Sequence, residues 1–428
     1  MKAASNRGVL ARRPIALFAA AAVLALAACS SSGNSSGTAA SGGSSAGGSS
    51  AGASGAKTIE IGMDAEQGGA LASFGLSFLQ AAKAGVAYVN KTGGVTINGT
   101  KYNLALDICN DNSDQTQVAA CATKLVVTNQ DKFIFGGLAD FGPILRGITE
   151  PNHAIYFSTG SAVAALMSSS HYVVNTVPSL DARSLMSVTG FKKAFPNAKT
   201  VALLGEQDAT DQAAFAALQP AFKQEGLTVV GTQIAPLDAT DYSSFLTALK
   251  AKHPDVIWNE LAAAVNSEPA MLGQNGSLHA ATVVFNNSGS CQASYPHTPG
   301  ITYMAETNAG AITAGPNETA QTKDYEATYY GLGGIKNPDP NISAGLYIYD
   351  FFPILAQAME KAGTSTDTTK VLAAINSISY KGVDGTISIK NNQSTYGQVL
   401  CTMKDGNSGN SQFEVFPDGT TTAIGANS

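Results

Sequence analysis

The sequence predicts an α/β protein: two doubly wound parallel-sheet lobes joined by hinge crossovers, carried behind an export leader and a flexible tether. Three observations predict it. Strand-like and helix-like segments alternate from residue 57 onward, that rhythm stops and restarts near residues 175–180, and a run of small residues separates this body from a basic, then apolar N-terminus. A chain of 428 residues holds two or three domains at ~100–200 residues each. The 44% apolar content suits a globular body, whereas the 13% charged content is about half of the usual share.

Residues 1–28 read as a signal peptide. Lys2, Arg7, Arg12 and Arg13 precede an uncharged stretch from Pro14 to Ala28, shorter than the roughly 20 residues of a membrane span. It closes on Leu26-Ala27-Ala28-Cys29, which resembles a bacterial lipobox. That resemblance implies that Cys29 carries a diacylglycerol and becomes the mature N-terminus. Of the 27 residues from 30 to 56, 25 are Ser, Gly or Ala. Such a segment buries too little surface to offset its ordering entropy, so it is a tether with a reach of about 30 Å. Residues 29–56 are therefore the lipidated Cys and its tether. Gly33–Gly37, Gly43–Gly47 and Gly48–Gly52 match the G-x-S-x-G elbow of hydrolases, but the motif has meaning only between a strand and a helix.

The body opens with strand Thr58–Met63 and a helix over Gly75–Asn90, whose apolar residues recur at helical spacing. Val95–Ile97 and Tyr102–Ile108 flank Asn98-Gly99, a hairpin signal. A helix at Ser113–Thr128, a strand at Phe133–Gly136, a helix at Pro143–Glu150 and a strand at Ala154–Phe157 follow. After Pro178 come helix Ala182–Phe195, strand Thr200–Leu204, helix Gln212–Glu225, strand Leu227–Ile234, helix Tyr242–Ala251, strand Val256–Trp258, helix Ala262–Gln274 and strand Thr282–Phe285. Repeated β-α units predict parallel sheets covered on both faces. Helices at Glu318–Tyr330 and Ala344–Ala362 precede a β-rich tail at Thr386–Ile389, Gln398–Met403 and Gln412–Phe416.

Doubly wound sheets bind ligands outside the carboxyl ends of their strands, and two such lobes can close on a small molecule. The order of "AAKAGVAYVNKTGGV" (81–95), "DNSDQTQVAACATKLV" (111–126), "FIFGG" (133–137), "DYSSFLTALKAKHPDVIW" (241–258) and "FEVFPDGTT" (413–421), after an opening strand and Gly68-Gly69…Phe74-Gly75, resembles one family. It is that of the type I periplasmic-binding-fold solute-binding lipoproteins of branched-chain-amino-acid-type ABC transporters. The resemblance spans 57–428. It implies a first lobe of 57–177 plus about 307–377 and a second of 178–306 plus about 378–428.

Five Cys is an odd count, and lipidation of Cys29 leaves four for an oxidising compartment. Cys109 ends a strand and Cys121 lies on the next helix, which folds back over it, so the two fall within bonding reach. The resemblance implies the same bridge, and pairs Cys291 with Cys401 if the tail returns to the second lobe.

The family holds a ligand carboxylate on first-lobe loops that correspond here to Leu138–Phe141 and Ser158–Ser161, beside helix N-termini. The resemblance thus points to Ala139, Asp140, Phe141, Ser158 and Ser161, with Phe74 as a lining aromatic. In the second lobe it points to Thr210, Glu260 and Ser288. The acid that holds an ammonium group in amino-acid binders is missing near Asn287-Ser288, and Asp140 stands where carboxylate binders keep a hydroxyl. A neutral polar, amide-like or cationic solute fits such a cleft better than a simple branched-chain amino acid.

The implied function is an extracytoplasmic receptor, held to the membrane only by lipid, a monomer, that delivers its solute to ABC transporter permease subunits. A sensory co-receptor of the same fold is the alternative, and a lipid-anchored hydrolase a weaker one. The five His (His153, His171, His253, His279, His297) lack metal-ligand spacing, and no P-loop, H-E-x-x-H or structured elbow occurs, so catalytic residues, metal and cofactor are all expected to be absent. Without the leader, the chain keeps 21 basic against 31 acidic residues and has no basic cluster, which argues against nucleic acid.

Overall fold

The first sheet orders nine strands β12-β13-β14-β6-β5-β4-β1-β3-β2. The computed structural model describes residues 57–138, 141–160, 170–207, 209–236, 239–261, 267–286, 298–308, 319–337, 339, 341–404, 407–408 and 413–423. In this sheet β1 (Lys57–Ala65), β3 (Thr100–Asn110), β4 (Phe133–Gly136), β5 (Ile155–Ser158), β6 (Val173–Asn175) and β14 (Gln393–Thr395) pair in parallel. β2 (Val95–Ile97), β12 (Ser379–Gly382) and β13 (Gly385–Lys390) add antiparallel edges. The hairpin into β3 turns at Asn98 and Gly99, with φ of 49° and 79°, the left-handed pair that an Asn-Gly turn supplies.

The second sheet orders β18-β17-β15-β11-β10-β9-β7-β8, with β16 (Asn407–Ser408) beside β15. Its parallel strands are β7 (Thr200–Glu206), β8 (Thr228–Ala235), β9 (Val256–Asn259), β10 (Val283–Asn286) and β11 (Thr302–Asn308). β15 (Gln398–Lys404), β17 (Phe413–Val415) and β18 (Thr421–Ala423) run antiparallel.

The helices supply each sheet's covers. α1 (Ala72–Lys91), α8 (Ala320–Gly331), α9 (Leu346–Ala362) and α10 (Thr368–Ile375) bury one face of the first sheet in a core that contains Phe78, Phe135, Phe157, Tyr325, Tyr349 and Phe352. Phe135 stacks between Phe157 and Phe352, with ring centroids 4.4 and 4.7 Å apart. α2 (Gln115–Thr123) and α3 (Gly142–Thr149) cover the other face around Leu125, Ile134 and Tyr156. On the second sheet, α4 (Leu180–Ala194) and α5 (Ala209–Gln224) close over Phe191, Phe222 and Trp258, while α6 (Ser243–Lys250) and α7 (Ser267–Leu278) close over Leu246, Ile257 and Met271. The near-continuous burial of the central strands is what a parallel sheet covered on both faces demands.

Three expectations are corrected. The tail does not leave the first lobe at about 378: β12–β14 extend the first sheet beside β6, and the return comes between Thr395 and Gln398. The crossing expected near 307 starts later, because β11 runs to Asn308 within the second sheet. The helix expected at Ser113–Thr128 is α helix only to Thr123 and continues as a π turn over Lys124–Thr128.

Candidate ligand-binding site

In each sheet strand order reverses once. β1 lies between β3 and β4, and β7 lies between β8 and β9. A doubly wound sheet opens its crevice at such a switch point, beyond the carboxyl ends of the strands.

At the first switch point the chain places acids. Asp64, Glu66 and Asp111 are all buried, at the ends of β1 and β3. Among the described residues no N–H or hydroxyl donor reaches either Asp64 oxygen, and its carboxyl faces that of Asp111. Burial, with the charges of Asp111 and Glu66, pushes Asp64 up to about 9. Burial also raises Asp111, against the pull of the Ser113 N–H that its Oδ1 accepts at 2.7 Å. Glu66 is pushed up to about 7 by burial and by Asp111. Its Oε1 accepts the Leu138 N–H at 3.0 Å, tying the end of β1 to the loop after β4.

Two further contacts fix this rim. α1 approaches so closely that a Cβ on Gly75 would lie 2.2 Å from the Glu66 carbonyl oxygen, so only glycine fits. The loop after β5 is held from α9: the Tyr347 hydroxyl donates to the Thr159 carbonyl. The Thr176 hydroxyl donates to the Ser158 carbonyl at 2.6 Å.

At the second switch point Asp211 and Glu260 accept hydrogen bonds. Glu206, ending β7, is fully buried, and its N–H donates to Asp211 on the first turn of α5. Past β9, the Glu260 N–H donates to the Leu204 carbonyl at 3.0 Å. The Trp258 indole Nε1 donates to Glu260 Oε1 at 3.1 Å. Asn259 Oδ1 accepts the Leu261 N–H at 2.8 Å and shapes the turn.

Phe74 is half-buried on α1 at the rim, edge-on to Phe78 with centroids 6.3 Å apart. Ser158 is fully buried, enclosed beside Tyr156. Phe141 is a correction: it packs in the core under α3 with Leu145 and Tyr156, so its ring fills the interior instead of lining a cleft. Glu260 is likewise buried, 5% exposed, and engaged by Trp258. Thr210 lies in the first turn of α5. Ala139, Asp140, Ser161 and Ser288 lie outside the described residues, as does Cys29.

Asp64, Glu66, Asp111 and Tyr347 escaped the sequence reading. The signal was present in "TIEIGMDAE", where two acids continue a buried strand beyond Met63.

Cys109 and Cys121 form a disulfide with Cα atoms 5.5 Å apart. Cys401 is also disulfide-bonded, and its expected partner Cys291 lies outside the described residues. Among the described residues no group of three or more His, Cys, Asp or Glu is arranged to hold a metal.

Two lobes of this topology, each with one switch point, define a binding protein of the periplasmic type. The chain belongs to the periplasmic binding protein family, whose model matches residues 58–404. It is similar in fold to the leucine-binding protein LivK of Thermotoga maritima at 16% identity and a TM-score of 0.66, covering 82% of this chain and 97% of that one. It is similar too to LivJ of Streptococcus pneumoniae, solved with isoleucine, at 18% identity and a TM-score of 0.68, covering 84% and 100%. An ABC-transporter solute-binding protein of Rhodopseudomonas palustris, solved with p-hydroxybenzoic acid, gives 18% identity and a TM-score of 0.69, covering 86% and 98%.

Proposed function

We propose that this chain is an extracytoplasmic solute-binding protein, anchored through a lipid on Cys29, which captures a small polar solute between its lobes and hands it to the permease subunits of an ABC importer. It binds without transforming its ligand. The observation that carries the reading is the pair of switch points, β1/β4 and β7/β9, on two lobes of one family fold. Relatives of this fold were solved with isoleucine and with p-hydroxybenzoic acid, which supports a small ligand. The leader, Cys29 and the tether support the anchor, and no described helix is long and apolar enough to cross a membrane.

The solute class follows from charge. Burial and the negative charge of Asp111 are what chiefly raise Asp64 and Glu66, and Asp140 adds a further acid to the sequence of the neighbouring loop. This favours a neutral or cationic polar solute, amide-like or amino-acid-like, over a simple carboxylate.

A thermal-shift screen of the full chain against amino acids, amides, polyamines, polyols and aromatic acids tests it. A ligand at 100 times its Kd stabilises the fold by about 2.7 kcal/mol. The expected result is a shift with a neutral or cationic solute that disappears in Asp140→Ala. A shift with leucine or valine that is lost in Ser161→Ala and kept in Asp140→Ala overturns the solute class. For the anchor, Cys29→Ala is expected to leave the membrane fraction or to stay as uncut precursor, and wild-type protein with a free Cys29 thiol refutes it.

A further inference from the structure

Two of the chain's passages between the lobes lie side by side. One leaves β6 for α4, and the other leaves β14 for β15. As sheet neighbours they share a single register pair, Gln393 with Asn175, and beside it the Asn175 N–H donates to the Asn392 carbonyl at 2.8 Å. Side chains extend that pairing. Ser394 Oγ donates to the Asn175 carbonyl at 2.6 Å. Gln393 Nε2 donates to the Val177 carbonyl at 2.6 Å, two residues beyond the ladder, while its Oε1 accepts from Asn175 Nδ2 at 3.2 Å.

These bonds fix where each passage stops belonging to the first lobe. On one passage, Thr176 is tied to Ser158 and Val177 to Gln393. Ser179 already caps α4, accepting the Ala182 N–H at 3.3 Å and the Arg183 N–H, on its carbonyl, at 2.9 Å. Only Pro178 remains between them, a residue with no N–H and a φ fixed by its ring. On the other passage, Tyr396 is buried in the first lobe's core, and Gln398 pairs with Asn308 and Val415 in the second sheet. Only Gly397 remains, the residue with the widest backbone freedom. A Cβ there would lie 2.4 Å from Glu414 Oε1, so Glu414 is seated against the glycine.

We propose that these two passages form one hinge with single-residue pivots at Pro178 and Gly397, set by the Gln393 side-chain amide strapped across to Val177. Without the strap, bending spreads back over Thr176 and Val177, because the ladder ends at Asn175. With it, bending within these two passages is confined to ψ of Pro178 and to both torsions of Gly397. The amide's two ends have separate roles. The Nε2 donor fixes the pivot, and the Oε1 acceptor only aligns Asn175.

The test reads interlobe distances in the full chain by single-molecule energy transfer, with dyes on unnatural residues placed at Lys101 of β3 and Lys223 of α5, both exposed. No solute is needed, so a failed solute screen leaves this result intact and the reverse also holds. Gln393→Glu keeps the acceptor and loses the donor, and together with Gln393→Ala is expected to broaden the distance distribution. Ser394→Ala broadens it less, and Gln357→Ala, an exposed glutamine on α9, leaves it unchanged. Gly397→Ala narrows it. A wild-type width in Gln393→Glu overturns the strap, and a wild-type width in Gly397→Ala overturns the pivot. Should Gln393→Ala lose its cooperative melt, the near-isosteric Gln393→Glu decides.

Discussion

The two lobes share a topology and differ in how their buried acids are surrounded. In the first, Asp64, Glu66, Asp111 and Asp350 are buried and all are raised above the carboxylate range, as is Asp131. Asp350 accepts the Val383 and Asp384 N–H groups at 3.0 and 2.8 Å, yet burial still pushes it up to about 7. In the second, buried Asp211 accepts the Glu206 N–H and buried Glu260 accepts the Trp258 indole N–H. Asp255 at its edge is lowered by the N–H groups of Lys199 and Thr200. Burial raises Glu414, beside Gly397, in the second lobe as well. Donors alone do not decide the outcome: Glu66, Asp111 and Asp350 each accept backbone N–H groups, and burial still raises them.

The largest expected effect comes from ionising these raised carboxyls. A carboxyl raised in the folded state gives stability that is complete below its unfolded value of about 4, and loses it as pH rises through the folded value. For Glu66 and Asp350 the loss runs through about pH 7, and for Asp64 through about pH 9. The first lobe should therefore lose stability from about pH 4, where the unfolded carboxyls ionise, up to about pH 9, where folded Asp64 does. An ionised, unpaired buried carboxylate costs several kcal/mol. Hydrogen-exchange protection factors, corrected for the base-catalysed intrinsic rate, are expected to fall along that pH series in β1 and β3 more than in β7 and β9, and Asp64→Asn should remove most of the slope. An equal fall in both lobes breaks the comparison.

A smaller effect tests whether the staple at the acid-rich edge matters. The Cys109–Cys121 bridge closes a separation of 12 residues beside Asp111. Closing so short a loop contributes roughly 3 kcal/mol in the chain-entropy model. The paired substitution Cys109→Ser, Cys121→Ser should lower the denaturant midpoint by that amount and steepen the alkaline loss in β3. An unchanged midpoint means the edge is held by packing alone.

The alternation of strands and helices, the restart near Pro178, the Asn98-Gly99 turn and the Cys109–Cys121 bridge were legible because each is written in a short span with its own chemistry. The β12–β14 return to the first sheet was not, since it rests on pairing between Gln393 and Asn175, 218 residues apart. β6 and α10 are too short to show a period. For the candidate site, the loops after β4 and β5 were found through family resemblance. The acids behind them were missed because Asp64 and Glu66 look like the polar end of a strand, and only the fold brings Asp111 and Leu138 against them. Phe141 was misplaced for the converse reason: its neighbours in sequence are loop residues, and its core partners Leu145 and Tyr156 come from a helix and a different strand.

The smallest effect should come from making the second lobe resemble the first. Trp258 is fully buried, stacked on Phe285 with centroids 3.9 Å apart, so Trp258→Phe keeps an aromatic there while deleting one N–H. That N–H is the donor to Glu260 Oε1. Losing a partner to a buried charged acceptor costs about 1–3 kcal/mol, to which the lost ring volume adds. The size of the loss is less telling than its pH dependence. With its donor gone, the buried Glu260 carboxyl loses the indole hydrogen bond that it accepts. The second lobe should then acquire an alkaline slope of the kind that Asp64 gives the first. Glu260→Gln in the same background should abolish that slope, since an amide has no proton to lose in this range. A Trp258→Phe protein that is weakened equally at every pH would show that the indole serves packing alone, and that the two lobes differ in their acids for a reason other than donor supply.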